Sequence, residues 1–336
     1  DEWFKRTWNN MDYDNPERRP YWANRQTNEQ NFGLMSFESG KLSSSIFVDG
    51  RKKDWDKKAI QPLAKSSSGD LRQVFADSDA AYLNLRFDFA KPLDWNKQST
   101  YVFLDTIPGQ GQQQLKLKNG IDLKADFGVD FVINLSGPDH SRILVDSYYD
   151  PYYFQYGKTL KMIPGQKYAE RNNNGIFHPI MLTLNKEMTQ PVENIKIPFE
   201  SYETGILKYG TANPSDEKFD SLTDISTSDD RKTVEIRIPW QLLNVKDPST
   251  REIMGNLYES GLTGSEKIEG IHLAAAAIEG GHITSILPKN DPGSLKNSVL
   301  YKWEEWEQPQ FYERTKTSYG IMKETFNNAR SKGENQ

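Results

Sequence analysis

The residues best suited to chemistry in this 336-residue chain are rings. At 148–157 it reads Tyr148-Tyr149-Asp150-Pro151-Tyr152-Tyr153-Phe154-Gln155-Tyr156-Gly157, its densest aromatic run. A flat ring face suits another flat apolar surface, such as the C–H face of a sugar, and interleaved Asp150 and Gln155 could fix hydroxyls. Pro151 bars the run from pairing as a central strand, so its rings belong at an edge or in a loop. Two readings stay open: a stacking platform using Tyr148, Tyr149, Asp150, Tyr152, Tyr153 and Gln155, or an edge cluster packed on itself. Trp95 lies in the polar loop Pro92-Leu93-Asp94-Trp95-Asn96 and is a further candidate for ligand contact. Trp55 and Trp240 read as structural rings closing the core.

Oxygen ligands form the second group. Asp77 and Asp79, Asp105, and the series Asp122, Asp126, Asp130 could hold a hard cation or cap turns. No EF-hand is present, since the glycine and closing glutamate do not fall at the required offsets. The four histidines, His140, His178, His272 and His282, show no metal-ligand spacing. There is no Gly-x-Ser-x-Gly elbow, P-loop or strand-bound GxGxxG. Glu200 with Glu203, and Glu304 with Glu305, resemble glycosidase carboxylate pairs in type alone, and any acidic chain offers such pairs. No catalytic residue is assigned, and this portion reads as non-catalytic. With 0 Cys, a disulfide framework, a thiol nucleophile and a cysteine-ligated zinc are excluded.

The net charge of -5 comes with scattered Lys and Arg, which leaves no basic stripe for nucleic acid or an anionic membrane. No stretch approaches the ~20 apolar residues of a membrane span. Mean hydropathy is low at -0.77. Even so, 8 Trp, 16 Tyr and 16 Phe are far more rings than a disordered chain carries, so the chain must fold around them.

The elements that would position these groups are strands. Residues 82–89 alternate, with Leu83, Leu85, Phe87 and Phe89 on one face and Tyr82, Asn84, Arg86 and Asp88 on the other, as a half-buried antiparallel strand does. Residues 233–238 alternate likewise, apolar in and charged out. Further strands are predicted at 46–48, 101–104, 129–135, 142–145, 159–163, 195–199 and 271–277, separated by turn clusters such as Asn119-Gly120 and Ser136-Gly137-Pro138-Asp139. Short strands without βαβ spacing predict an all-β antiparallel sandwich over 42–303. A short helix is predicted after Pro239-Trp240, and a longer one over 311–330, where Tyr312, Tyr319, Met322 and Phe326 recur at helical spacing. Residues 1–41 read as an extension, the tail of a preceding domain, and 304–336 as a helical segment. Both are expected to pack on the sandwich, because Trp3, Trp8, Phe32, Tyr312 and Met322 need burial.

Three segments in order carry a family resemblance: Val48-Asp49-Gly50 with Asp54-Trp55; Asp77 to Leu85 followed by Phe103-Leu104-Asp105-Thr106; and Val234-Glu235-Ile236-Arg237-Ile238-Pro239-Trp240-Gln241-Leu242-Leu243. Together they resemble family 9 carbohydrate-binding modules and the related DOMON-type sandwiches over about 45–303, with an insertion-like stretch at 150–230. The resemblance implies sugar binding between aromatic rings and a structural calcium, for which Asp77, Asp79 and Asp105 are the candidates. A second, looser likeness joins Asp1-Glu2-Trp3-Phe4-Lys5 and Asn28 to Leu34 with the closing segment of TIM-barrel glycoside hydrolases. Tyr301-Lys302-Trp303-Glu304-Glu305-Trp306 is similar to the end of large Gram-positive cell-surface proteins. The expectation is an extracellular or cell-surface glycan-recognition module, covalently joined to an upstream domain, with no nucleic-acid partner and no membrane contact of its own. Part of a polysaccharide-processing glycoside hydrolase is one alternative. A structural or protein-docking sandwich in the cell envelope is the other.

Overall fold

The computed structural model describes residues 35–39, 46–163, 173–291, 293–306 and 311–333. The chain is an all-β sandwich of antiparallel sheets. One sheet has five strands, in the order Ile225–Thr227, Thr233–Pro239, Tyr82–Phe89, Leu71–Ser78, Ala64–Lys65. The other has seven, in the order Phe177–Pro179, Arg142–Asp146, Phe131–Leu135, Gln98–Asp105, Ile271–Glu279, His282–Leu287, with Val299–Tyr301 also pairing to Ile271–Glu279.

Leu83, Leu85 and Phe87 of the first sheet share the main core with Val102, Leu104, Ile133 and Ala275 of the second. The second sheet is apolar on its other face too. There Tyr101, Phe103, Val132, Ala274 and Ala276 pack against Leu115, Leu123 and Leu295. Those three residues come from a small sheet of Gln112–Lys116, Asp122–Val129 and Ser294–Leu295. Burial on both faces accounts for the nearly unbroken apolar run at 271–278.

The strands at 82–89 and 233–238 form as predicted, but not half-buried. All eight residues of Tyr82–Phe89 and all seven of Thr233–Pro239 are buried. Segments far away in sequence cover the outer face, and each charge there finds partners. Arg86 donates to Asp88 at 3.0 Å and lies 3.8 Å over the Phe75 ring. Glu235 accepts from Trp55 Nε1 at 2.7 Å and from the Asp49 and Gly50 amides. Arg237 donates to the carbonyls of Thr223 and Ser221. Gly50 allows this close cover: its φ is 79°, and a Cβ there would fall 2.6 Å from the Thr227 carbonyl oxygen.

Three elements differ from their sequence reading. Residues 153–159 form a π-helical turn, with no strand at 159–163. The strand Ile195–Ile197 pairs, among the described residues, with Met188–Gln190 alone, and this ribbon stands exposed. The C-terminal helix spans Thr317–Gly333, and a strand, Phe311–Thr315, precedes it and pairs with Met35–Ser39. On this helix Phe326 is 61% exposed, and Met322, expected to be buried, is partly exposed. The expected burial of Trp3, Trp8 and Phe32 concerns residues outside those described. Among the described residues no helix is long and apolar enough to cross a membrane.

Candidate functional site

The aromatic run leaves the strand Arg142–Asp146 through a 3-10 turn, Ser147–Tyr149, and enters the π-helical turn Tyr153–Thr159. Asp150 makes the junction: its Oδ1 accepts the Tyr152 amide at 2.8 Å, and its carbonyl accepts the Phe154 amide at 3.0 Å. Pro151 sits where a helical turn needs no amide donor. The 3-10 and π geometries break any single side-chain period, so neighbouring rings part company.

Tyr149 turns inward. It is wholly buried, its hydroxyl donates to the Met254 carbonyl, and its ring meets Phe131 edge-on at 6.0 Å. Tyr153 is buried as well, edge-on to His178 at 5.3 Å. Neither offers a ring face to a ligand, which corrects the expectation of a platform including both. The partly exposed rings form two groups. Tyr148 stacks on Tyr258 at 4.4 Å and 13°, and Lys158 Nζ lies 4.0 Å over the Tyr258 ring. Tyr152 donates to Ser201 Oγ at 3.1 Å and groups with Tyr156 and Phe199 at 5.5 and 6.4 Å. Gln155 is partly buried, and its backbone carbonyl accepts from Leu160. Trp95 is separate from this site; it packs on the main core and over Gly137, where a Cβ would sit 3.1 Å from it.

Beside the Tyr152 group is a cleft of about 200 Å³. Its walls include Val145, Ile180 and Leu182, and its polar edges Asp150, Gln241 and Asn244. Asp150 is 1% exposed, and its Oδ2 has no hydrogen-bond partner. Burial lifts its pKa to about 7, opposed by the Tyr152 and Tyr153 amides and reinforced by the Asp146 charge. A mostly apolar hollow with a few convergent polar groups and one perturbed carboxyl is the usual form of a small-ligand site. Gln241 and Asn244 were not anticipated. They enter from the 3-10 turn Trp240–Leu243, which Asn244 ends at a left-handed φ of 59°. An Asn after a short apolar turn is the only sequence signal that marked them.

The three aspartates proposed for calcium are not brought together. Asp77 pairs with Lys58 Nζ. Asp79 accepts the amides of Ala81 and Tyr82 at 2.8 Å each, which caps its turn. Asp105 faces a different hollow, of about 410 Å³, with Gln110, Asp126 and Asn173; burial lifts its pKa to about 7. Among the described residues, no three acidic or histidine side chains form a group that could hold a metal ion. These positions do not fit the calcium that the family resemblance implies.

No family model, no curated protein and no solved structure matches the chain.

Proposed function

We propose that this chain recognises carbohydrate without turning it over, and that the cleft bounded by Tyr152, Asp150 and Gln241 receives the sugar. One observation carries the reading: a partly exposed ring, an apolar wall and the unpartnered Oδ2 of buried Asp150 meet at a single hollow. The sugar's C–H face would lie against Tyr152 and the apolar wall, its hydroxyls toward Asp150, Gln241 and Asn244. Below about pH 7 a protonated Asp150 donates to a hydroxyl oxygen; above it, the carboxylate accepts from one. The resemblance of residues 45–303 to sugar-binding sandwiches supports the same reading and favours a setting outside the cell.

Asp150 is the only carboxylate among the described residues lining the cleft. Glycoside hydrolysis ordinarily needs two, flanking one bond, so recognition is favoured over catalysis. A site this small, with one partly exposed ring and few hydroxyl partners, binds weakly, at roughly micromolar to millimolar Kd. A panel of soluble oligosaccharides titrated by calorimetry tests the proposal. Binding that Tyr152→Ala and Gln241→Ala each weaken, with Tm nearly unchanged, supports it. Hydrolysis of a panel member that a single Asp or Glu substitution abolishes contradicts it.

A further inference from the structure

The hollow of about 410 Å³ at the end of the strand Gln98–Asp105 shares no lining residue with the cleft beside Tyr152. Two glycines hold its walls together. Gly111 has a φ of 78°, and a Cβ there would fall 2.6 Å from the Gly128 carbonyl carbon; one on Gly128 would collide with the Gln110 carbonyl oxygen. Bare backbone at both positions lets the 109–111 turn lie this close to the strand Asp122–Val129. On the rim, Asn173 Oδ1 accepts the amides of Gln113 and Gln114 at 2.8 and 2.7 Å.

This close packing buries oxygen acceptors for which the described residues supply no donor. Gln110 lines the hollow at 7% exposure, and its Oε1 has no hydrogen-bond partner. Asp105 lines it too, and burial lifts its pKa with no hydrogen bond or cation among the described residues to hold it down. Asp130, wholly buried, is tied to the two residues that follow Asp105: its Oδ2 accepts the Thr106 and Ile107 amides at 2.8 and 3.0 Å, and its Oδ1 has no partner. Burial and then the Asp105 charge raise the Asp130 pKa, as between neighbouring carboxyls. Asp126 adds an exposed carboxylate at the edge, and none of the described lining residues is Lys, Arg or His.

Buried acceptors without donors call for a donor, and two neighbouring carboxyls call for a positive one. A water molecule brings two donors and no charge. A primary ammonium brings three N–H donors and a positive charge, which serves the Gln110 oxygen and the Asp105 carboxylate together and offsets Asp130 beside them. A bare metal ion is the poorer match, because no three acidic or histidine side chains among the described residues form a group that could hold one. Phe127 is the one apolar side chain among the described lining residues, which suits a short alkyl stem and not a large apolar body. We propose that this hollow binds a small molecule through a primary ammonium group, held by Asp105 and Gln110, with Asp130 behind them and Asp126 at the edge. This inference stands independently of the carbohydrate reading.

The test titrates the isotopically labelled full chain with 3-amino-1-propanol at about pH 8, where Asp105, with a pKa of about 7, is ionised and a primary amine still holds its proton. Amide NMR resonances report binding, with 1,3-propanediol and calcium chloride, at matched ionic strength, as comparison ligands. The amine should shift the Gln110 and Gly111 amides saturably, with a Kd of roughly millimolar, while the diol leaves them in place. Asp105→Asn, which keeps the shape and removes the charge, should weaken binding about ten-fold or more, and Asp126→Asn, at an exposed position, about three-fold. Should Asp105→Asn not fold, Asp126→Asn decides. No saturable shift, equal shifts from the diol, calcium that saturates the same resonances more tightly than the amine, or a folded variant that binds as the parent does would overturn the proposal.

Discussion

Tyr149 and Tyr152 are three residues apart and have opposite roles. Tyr149 is enclosed by Phe131, Asn244 and the Met254 carbonyl, so Tyr149→Ala should cost about 3–5 kcal/mol of stability, as truncating a buried ring does. Tyr149→Phe leaves the Met254 carbonyl without that donor and should cost about 1–3 kcal/mol. Chemical denaturation of both variants measures this, and a Tyr149→Ala protein of unchanged stability would place the ring outside the core. The sequence shows six rings in ten residues but not which turn inward, because the turns carrying them share no period. Trp55 and Trp240 are correctly read as structural: both are buried, donating to Glu235 and to the Asp79 carbonyl. Asp150 makes a pH prediction. Its pKa, about 7 in the fold, lies above its ordinary value, so over roughly pH 4 to 7 the folded state holds a proton that the unfolded state has released. Its contribution to stability is thus fully present below about pH 4 and is lost as pH rises through 7, by at most ~1.4 kcal/mol per pH unit. Asp150→Asn has no such proton, so its stability relative to the parent should rise between pH 5 and 7. Parallel urea titrations at the two pH values would show it, and a constant difference would mean the carboxyl titrates normally.

Among the elements, alternation located the strands at 82–89 and 233–238 well but misjudged their outer faces. The cover comes from residues near Gly50 and Ser221, far from Arg86 in sequence, and no local pattern announces it. Buried charge on a strand still reads as polar alternation, so a pattern rule assigns that face to water. The cover rests on a glycine. Gly50→Ala puts a methyl group against the Thr227 carbonyl at a positive φ, and the strain should destabilise the fold by more than about 1 kcal/mol. Thermal melts measure this, and a melting temperature equal to the parent's would mean the cover segment shifts freely. Helix legibility ran the other way. The 3.6-residue spacing at 319–326 correctly marks a helix, while Phe311–Thr315 is a strand because its partner, Met35–Ser39, lies about 275 residues away, beyond any local window.

For the whole molecule, many short strands and the absence of βαβ spacing were enough to read the sandwich class. The candidate site was only half legible. Its aromatic side lies in one run of sequence, but Gln241 and Asn244 come to it from the other sheet's connection. The three aspartates expected to hold calcium are likewise set apart, Asp77 on a strand of one sheet, Asp79 in the turn after it and Asp105 on a strand of the other sheet. The central claim is that the cleft beside Tyr152 binds sugar, and a calorimetric titration tests it most directly: the oligosaccharide that binds best, against the parent chain and against Tyr152→Ala and Gln241→Ala variants that melt as the parent does. The account predicts binding to the parent that either substitution weakens about ten-fold or more. Binding that both variants retain at full strength would contradict it.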